Sequence, residues 1–118
     1  MRSTDSVIYK IVPTTLWRAS IASGRFAGSP VDLRDGFIHF STAAQVQETA
    51  VRHFGGVADL VLVAVWTAAI EGPALRWEPS RGGDLFPHLY ADLPLGAVRW
   101  QTPLPLDANG QHVFPVLN

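Results

Sequence analysis

Hydrophobic residues in this chain fall into short runs rich in valine and isoleucine and into two amphipathic segments. The runs at residues 7–12 and 59–66 predict β-strands, and the second is continuously apolar, so we expect it at a sheet centre, covered on both faces. Shorter strands are predicted at residues 37–40, 75–78 and 97–102. Residues 14–23 predict a helix that ends at Gly24. A second helix is predicted to start within residues 41–45, where Thr42 and Gln45 have capping-box spacing, and to continue to Phe54.

The remaining segments, residues 25–35 and 80–90, are rich in glycine and polar residues and are interpreted as loops. Trp17 and Trp66 lie on apolar patterns and are expected in the core, and His53 fits a helix C-terminus, where a positive charge is favoured. No repeat or linker divides the chain, so we expect one domain over residues 1–118. Helices concentrated in the N-terminal half, with strands alone after them, indicate the α+β class.

The composition narrows the functional classes. Of the 118 residues, 47% are hydrophobic and 16% charged, and the net charge is −1. That balance argues against a DNA- or RNA-binding protein, whose contact surface is normally basic, but not against a small anionic ligand. The absence of cysteine excludes a disulfide scaffold and a thiol nucleophile. No secretory signal pattern is present, and the longest apolar stretch, residues 60–70, is shorter than the ~20 residues of a membrane span. We therefore expect a cytoplasmic protein with neither DNA nor a membrane as partner.

Several familiar catalytic patterns are missing from the sequence. It contains neither the glycine-rich dinucleotide or P-loop motif nor a G-x-S-x-G nucleophile elbow. The four histidines show none of the close spacings that metal ligands usually have, so no metal site is predicted.

The segment of residues 35–42, DGFIHFST, is the first candidate for chemistry. His39 lies at the end of a predicted strand and just before a predicted helix N-terminus, whose free amides favour anions. Together with the Ser41 hydroxyl, it could hold a phosphate or a ribose diol. In the alternative interpretation, Ser41 caps the helix and His39 packs against the backbone.

The second candidate is residues 76–90, RWEPSRGGDLFPHLY, which concentrates charged and aromatic side chains. Arginine offers a planar fork for phosphate, aromatic rings can stack on a base, and paired glycines let backbone amides approach a ligand. In the alternative interpretation, arginine–carboxylate pairs tie down a loop whose aromatic residues enter the core. The predicted ligand-binding residues of this segment are Arg76, Trp77, Arg81, Gly82, Gly83, His88 and Tyr90.

The ordered motifs of the chain resemble a bacterial family, the domain of unknown function 952. They are IYKI near the start, W-x-x-A from Trp17, GRFAGS from Gly24, DGFIHFST from Asp35 and LRWEPSRGGDLFPHLY from Leu75. The resemblance covers nearly the whole chain. It implies a fold similar to that of ADP-ribosyltransferases, a small split β-sheet that holds NAD in a central cleft, and makes NAD the candidate cofactor.

A more distant resemblance is to RNA 2′-phosphotransferases of that superfamily, which carry an early Y-H-G-T motif and a later V-H-L-S motif. Residues 38–41, IHFS, match the second motif, and Tyr9-Lys10-Ile11 occupy the place of the first. Lys10 thus stands where those enzymes have the histidine expected to grip the nicotinamide ribose, and it joins the predicted ligand-binding residues.

Two principal hypotheses follow. In the first, the cleft binds or processes an NAD-like or other phosphorylated nucleotide, as in a transferase or glycohydrolase. The predicted catalytic residues are His39, which with Ser41 would hold ribose or phosphate, and Glu78, which would stabilise an oxocarbenium-like state or act as a base. In the second, which the Lys10 replacement favours, a non-catalytic domain keeps the fold and binds a small metabolite or a protein. Hydrolysis of another small ester or phosphate is a third possibility.

Overall fold

The computed structural model describes residues 6–117, with the side chain of Arg81 left out. The predicted α+β class is confirmed: antiparallel strands form three small sheets, and all three α-helices of the described residues lie before residue 55. The elements in chain order are β1 (Val7–Pro13), α1 (Thr14–Ser23), β2 (Arg25–Phe26), α2 (Pro30–Asp35), β3 (Ile38–His39), α3 (Val46–Phe54), β4 (Leu60–Trp66), β5 (Leu75–Pro79), β6 (Leu85–Leu89), β7 (Leu93–Pro94) and β8 (Val98–Pro103).

The first sheet has the order β1-β4-β8, so the strand predicted to be central is central. Alternate residues of these strands face two separate apolar clusters. One cluster, on the side of α1, includes Ile8, Trp17 and Val63, and the other, on the side of α3, includes Tyr9, Ala50 and Leu62. Burial of both faces explains the continuous apolar run of β4.

The third sheet, in the order β3-β6-β5, is joined to the first at one point. Tyr9 of β1 and Ser41, two residues after β3, exchange backbone hydrogen bonds of 2.8 and 2.9 Å. A short two-stranded sheet of β2 and β7 completes the set. The junction brings the middle of β1 next to the end of β3.

Two segments that were interpreted as loops contain regular structure. Residues 25–35 hold β2 and α2, in which Pro30 follows an N-cap, Ser29, that forms a reciprocal capping box with Asp32. Residues 80–90 hold β6. Its Pro87 has no amide to donate, but its carbonyl accepts from the Phe40 amide, on the side where β3 has ended, so little pairing is lost.

Two further predictions need correction. The second helix begins at Val46, later than predicted, after a turn in which the Gln45 side chain accepts from the Thr42 amide at 3.0 Å, the bond that the capping-box spacing of these two residues predicts. His39 and Ser41 therefore do not adjoin a helix N-terminus. Trp66 is 41% exposed rather than in the core, with the Arg99 guanidinium 4.7 Å from its ring centroid. None of the helices in the described part of the chain has the length and hydropathy of a bilayer crossing.

Candidate functional site

An open cleft of about 840 Å³ lies where the first and third sheets meet, between α2 and α3. Four residues singled out from the sequence, Lys10, His39, Ser41 and His88, line it. The two sheets bring them together through the junction between Tyr9 and Ser41 and through the direct cross-strand pairing of His39 with His88. The other lining residues are Tyr9, Ile11, Ser29, Val31, Arg34, Asp35, Phe40, Val46, Thr49, Arg52, His53, Phe54, Ser80 and Phe86.

A buried carboxylate, Asp32 of α2, organises one wall of the site. It is 1% exposed and lies 3.0 Å from the Lys10 ammonium, which is itself only 8% exposed. The backbone amides of Ser29 and His39 also donate to it, at 2.9 and 3.1 Å. Burial alone would raise the pKa of Asp32, but hydrogen bonds from His39, the charge of Lys10 and the Ser29 amide outweigh it and hold that pKa well below its ordinary value. Burial in turn lowers the pKa of Lys10, while Asp32 opposes the shift.

His39 is held between two carboxylates. Its Nδ1 lies 2.6 Å from Asp32 Oδ1 and its Nε2 3.0 Å from Asp35 Oδ2. Since both partners are acceptors when ionised, the ring satisfies both at once only when each nitrogen carries a proton. Asp32 is the buried partner, whereas Asp35 and His39 are both about one-third exposed. His39 is therefore anchored from inside and open on the side of Asp35.

The hydroxyl of Ser41 does not cap the helix but bonds to a side chain within it. Its Oγ lies 2.9 Å from the Oγ1 of Thr49, one turn into α3. Both hydroxyls line the cleft. Ser41 thus ties the end of the third sheet to α3 at the cleft wall.

His88 of β6 forms the second histidine centre. Its Nδ1 lies 2.8 Å from Glu78 Oε1 on the neighbouring strand β5, and the same oxygen accepts the Tyr90 hydroxyl at 2.7 Å. Burial lowers the pKa of His88, although the bond to Glu78 works in the opposite direction. The hydrogen bonds from Tyr90 and His88 lower the pKa of Glu78. Glu78 is not among the residues that line the cleft, and its carboxylate reaches the site through its hydrogen bond to His88.

Phe37 packs between the two histidine centres. Its ring is stacked on His88 at a centroid distance of 4.1 Å and lies 4.5 Å from His39 and 5.1 Å from Tyr90. The centroids of His39 and His88 are 5.4 Å apart, with the rings edge to face. Phe37 therefore fixes the His88 ring from one side.

Apart from Ser80 and Phe86, the rest of the second candidate segment lies away from the cleft lining. Trp77 packs against the apolar cluster beside α1, and Tyr90 lines a separate pocket of about 250 Å³. The Arg76 guanidinium lies 4.5 Å from the centroid of Tyr90. Gly82 and Gly83 form the exposed turn between β5 and β6 with positive φ angles. Arg81 lies in that turn too, and its side chain is outside the described part of the structure.

Several cleft residues were missed from the sequence. Arg34 follows the buried Asp32 by two positions in a helix interpreted as loop, and Arg52 and His53 lie in the last turn of α3. His53 had been explained by that helix terminus alone. Ser80 belongs to the candidate segment, but without a motif of its own. The signal that could have identified the two arginines is their position on helices flanking the HFST segment, which only the correct helix boundaries reveal.

Comparisons with known proteins agree with the fold and leave the chemistry open. A family model described as protein of unknown function (DUF952) matches residues 11–101. The X-ray crystal structure of CC0527 from Caulobacter crescentus is 50% identical, with a TM-score of 0.86 over 91% of this chain and 93% of that chain. The solution NMR structure of CC0527 is 52% identical, with a TM-score of 0.80 over 90% of each chain. A comparison with curated proteins finds no match.

Proposed function

The chain belongs to the DUF952 family of proteins of unknown function, and we propose that its cleft binds a phosphorylated, nucleotide-like ligand. The observation that carries the proposal is the imbalance of charge in the cleft. Arg34 and Arg52 line it together with three histidines and with Lys10, whose charge the buried Asp32 neutralises, whereas Asp35 is the sole carboxylate among the described lining residues. An excess of donors and positive charge favours an anionic ligand.

The two arginines suit phosphate recognition at the cleft rim. Arg34 bonds Asp35 at 3.1 Å and Arg52 bonds Glu48 at 2.7 Å, each through Nε. Both pairs are exposed, and exposed pairs contribute little free energy, so a phosphate can compete for the guanidinium groups. Arginine is also the side chain whose geometry best matches phosphate oxygens.

The remaining cleft features suit a nucleoside. The volume of about 840 Å³ lies in the range of pockets that hold cofactor-sized molecules. Tyr9, Phe40, Phe54 and Phe86 provide aromatic lining, and the Ser41 and Thr49 hydroxyls can meet ribose hydroxyls. The sequence resemblance to ADP-ribosyltransferases supports the same ligand class and an ADP-ribosyltransferase-like arrangement of the split sheets.

The buried pair of Lys10 and Asp32 favours binding without cleavage of NAD. Lys10 stands where the RNA 2′-phosphotransferases carry a histidine, and here its ammonium is engaged by both Asp32 oxygens at 3.0 Å. A lysine held in that way is not free to grip the nicotinamide ribose. This speaks against turnover of NAD, the reaction of the first hypothesis, and leaves the binding of a phosphorylated nucleotide as the proposed function.

A thermal-shift series tests the proposal. The unchanged protein would be melted with NAD, ADP-ribose, adenosine 2′-monophosphate and, as an uncharged comparison, nicotinamide. A ligand at a hundred times its Kd adds about 2.7 kcal/mol, which raises Tm by several degrees. We expect a shift with at least one phosphorylated ligand and none with nicotinamide.

Matched arginine variants locate the ligand. Arg52→Gln removes a cleft cation, whereas Arg18→Gln removes an exposed cation of α1 that does not line the cleft. We expect R52Q to reduce the shift and R18Q to leave it intact, and Arg81→Gln tests the sequence-based role of that residue in the same way. Failure of every phosphorylated ligand, or equal shifts in R52Q and R18Q, would contradict the proposal.

A further inference from the structure

We propose that His88 is a general base of the cleft, positioned by Glu78, and that its substrate is a ribose phosphodiester with a free 2′ hydroxyl. The inference rests on the proposed function, since it requires a phosphorylated nucleotide in the cleft, and it adds a reaction to that binding. It does not involve NAD.

One ring nitrogen of His88 has no hydrogen-bond partner among the described residues, and the residue lines the cleft. Nδ1 is engaged by Glu78 at 2.8 Å, and Nε2 makes no hydrogen bond to the described residues. No buried side-chain nitrogen or oxygen of the described residues lacks a partner, so Nε2 is not sealed in the interior. Because the buried His88 lines the cleft, the cleft is where Nε2 reaches solvent.

The surroundings of His88 keep that nitrogen unprotonated near neutral pH. Burial lowers the pKa of His88. The Glu78 carboxylate accepts a hydrogen bond from the Nδ1–H of the neutral ring, so the lone pair lies on Nε2. The titratable and charged groups around the ring are Glu78 and Arg76 of β5, His39 of β3, Asp32 of α2 and Tyr90 after β6. The Phe37 ring stacked on His88 fixes its orientation.

His39 is the complementary acid. It is the direct cross-strand partner of His88, with ring centroids 5.4 Å apart, and carboxylates face both of its nitrogens. The Nε2–H meets Asp35, which is one-third exposed, so a substrate oxygen can take the place of that carboxylate. His39 faces a carboxylate at each ring nitrogen and His88 at one only, an arrangement suited to the roles of acid and base.

The reaction that this pair supports is an internal transfer of the phosphodiester. His88 Nε2 accepts the proton of the 2′ hydroxyl, and the 2′ oxygen forms a new bond to phosphorus. The bond from phosphorus to the 5′ oxygen of the next nucleoside breaks, and that oxygen takes a proton from His39 Nε2. The products are a 2′,3′-cyclic phosphate and a free 5′ hydroxyl. Proton exchange with water returns both histidines to their starting states, so no other reactant is required.

The experiment measures binding and turnover separately on the full chain. Adenylyl-(3′→5′)-adenosine is the substrate, and its product is followed by chromatography. The analogue that lacks the 2′ hydroxyl of the first nucleoside is the binding probe, because it cannot react. ADP-ribose binding, measured by calorimetry, reports the proposed function independently.

Three variants separate the roles. His88→Gln removes the base and should lower kcat by about 10²–10⁴-fold while the unreactive analogue still binds. Glu78→Gln removes a charge that raises the pKa of His88, so the acidic limb of kcat/KM should move to lower pH, which a merely structural role for Glu78 would not cause. His112→Gln is the matched control, because His112 bonds the Val57 carbonyl and does not line the cleft.

The outcomes are distinguishable. Turnover that is lost in H88Q, kept in H112Q and shifted in pH by E78Q supports the inference. Binding of ADP-ribose or of the analogue without turnover overturns the inference and leaves the proposed function standing. If neither molecule binds, this inference fails together with the nucleotide-binding proposal on which it rests.

Discussion

Two carboxylate–histidine pairs contact Phe37 through their imidazoles, and their burial is reversed. In the pair of Asp32 and His39 the carboxylate is 1% exposed and the imidazole 34%, whereas in the pair of Glu78 and His88 the carboxylate is 34% exposed and the imidazole 7%. The same two chemical groups, joined in each case through Nδ1, therefore occupy opposite environments.

The difference shows which member of each pair must be stabilised by its neighbours when it is buried. A buried carboxylate is costly unless cations and donors surround it, and Asp32 has Lys10, His39 and the Ser29 amide. A buried imidazole avoids that cost by staying neutral, and the partly exposed Glu78 needs only to orient it. We therefore assign Asp32 mainly to the stability of the fold and Glu78 mainly to the chemistry of the cleft, through His88.

The largest expected effect comes from breaking the buried pair. Asp32→Asn leaves the Lys10 ammonium buried beside a neutral amide, and removing one partner of a buried ion pair typically costs about 3–5 kcal/mol. The amide also presents a donor where the Ser29 and His39 amides already donate, which adds to the loss. Urea unfolding followed by tryptophan fluorescence measures the change in the free energy of unfolding.

Glu78→Gln is the matched substitution in the reversed pair. The glutamine side chain keeps the shape of the glutamate and one oxygen acceptor, at a position that solvent reaches. We expect a much smaller loss in the free energy of unfolding than in D32N, as for exposed charge pairs. Equal losses in D32N and E78Q would mean that the reversed burial has no energetic consequence.

The sequence predicted much of the fold because its strongest signals are local. The apolar run of β4 and the α1 segment that ends at Gly24 were predicted almost to the residue, since each depends on patterns that a short window contains. The strand β6 was not predicted, because Pro87 argues against a strand and is tolerated only where β3 has ended. The sequence alone does not show that β3 ends beside Pro87.

The sequence identified several residues of the candidate site but not the partners to which they are hydrogen-bonded. Lys10, His39, Ser41 and His88 were identified and do line one cleft, but the partner that anchors two of them, Asp32, was absent from every motif considered. Asp32 lies in a helix of six residues with a capping box that uses aspartate, too short for a periodic pattern to reveal. Glu78 was identified, but its hydrogen bond to His88 depends on how β5 and β6 pair, which the sequence does not show.

A smaller effect should follow from changing Phe37, which contacts both histidines but stacks only on His88. Phe37→Leu keeps apolar volume and removes the ring contact, a loss of about 0.5–1.5 kcal/mol. We expect the NMR pH titration of His88 to change, because the Phe37 ring stacked on the imidazole is lost. Phe114→Leu, in the other apolar cluster, is the control that should destabilise without altering that titration.

The smallest expected effect, the dependence of stability on pH, compares the two pairs directly. The pKa of His88 is lowered in the folded chain, so the unfolded chain binds more protons and stability falls as pH drops below the ordinary histidine pKa of about 6.5. The pKa of Asp32 is also lowered, but its contribution is complete above the ordinary aspartate pKa of about 3.9 and is lost only as pH falls further. The two pairs therefore weaken in separate pH ranges.

Urea unfolding of the unchanged protein and of His88→Gln, from pH about 7.5 down to about 4.5, isolates the first range, where the histidine titrates and the aspartate does not. The difference in unfolding free energy between the two proteins should shrink as the pH falls, because the unchanged protein alone loses the contribution of His88. A difference that stays constant across that range would show that His88 titrates alike in the folded and unfolded chains, and the contrast between the two pairs would then be one of geometry alone.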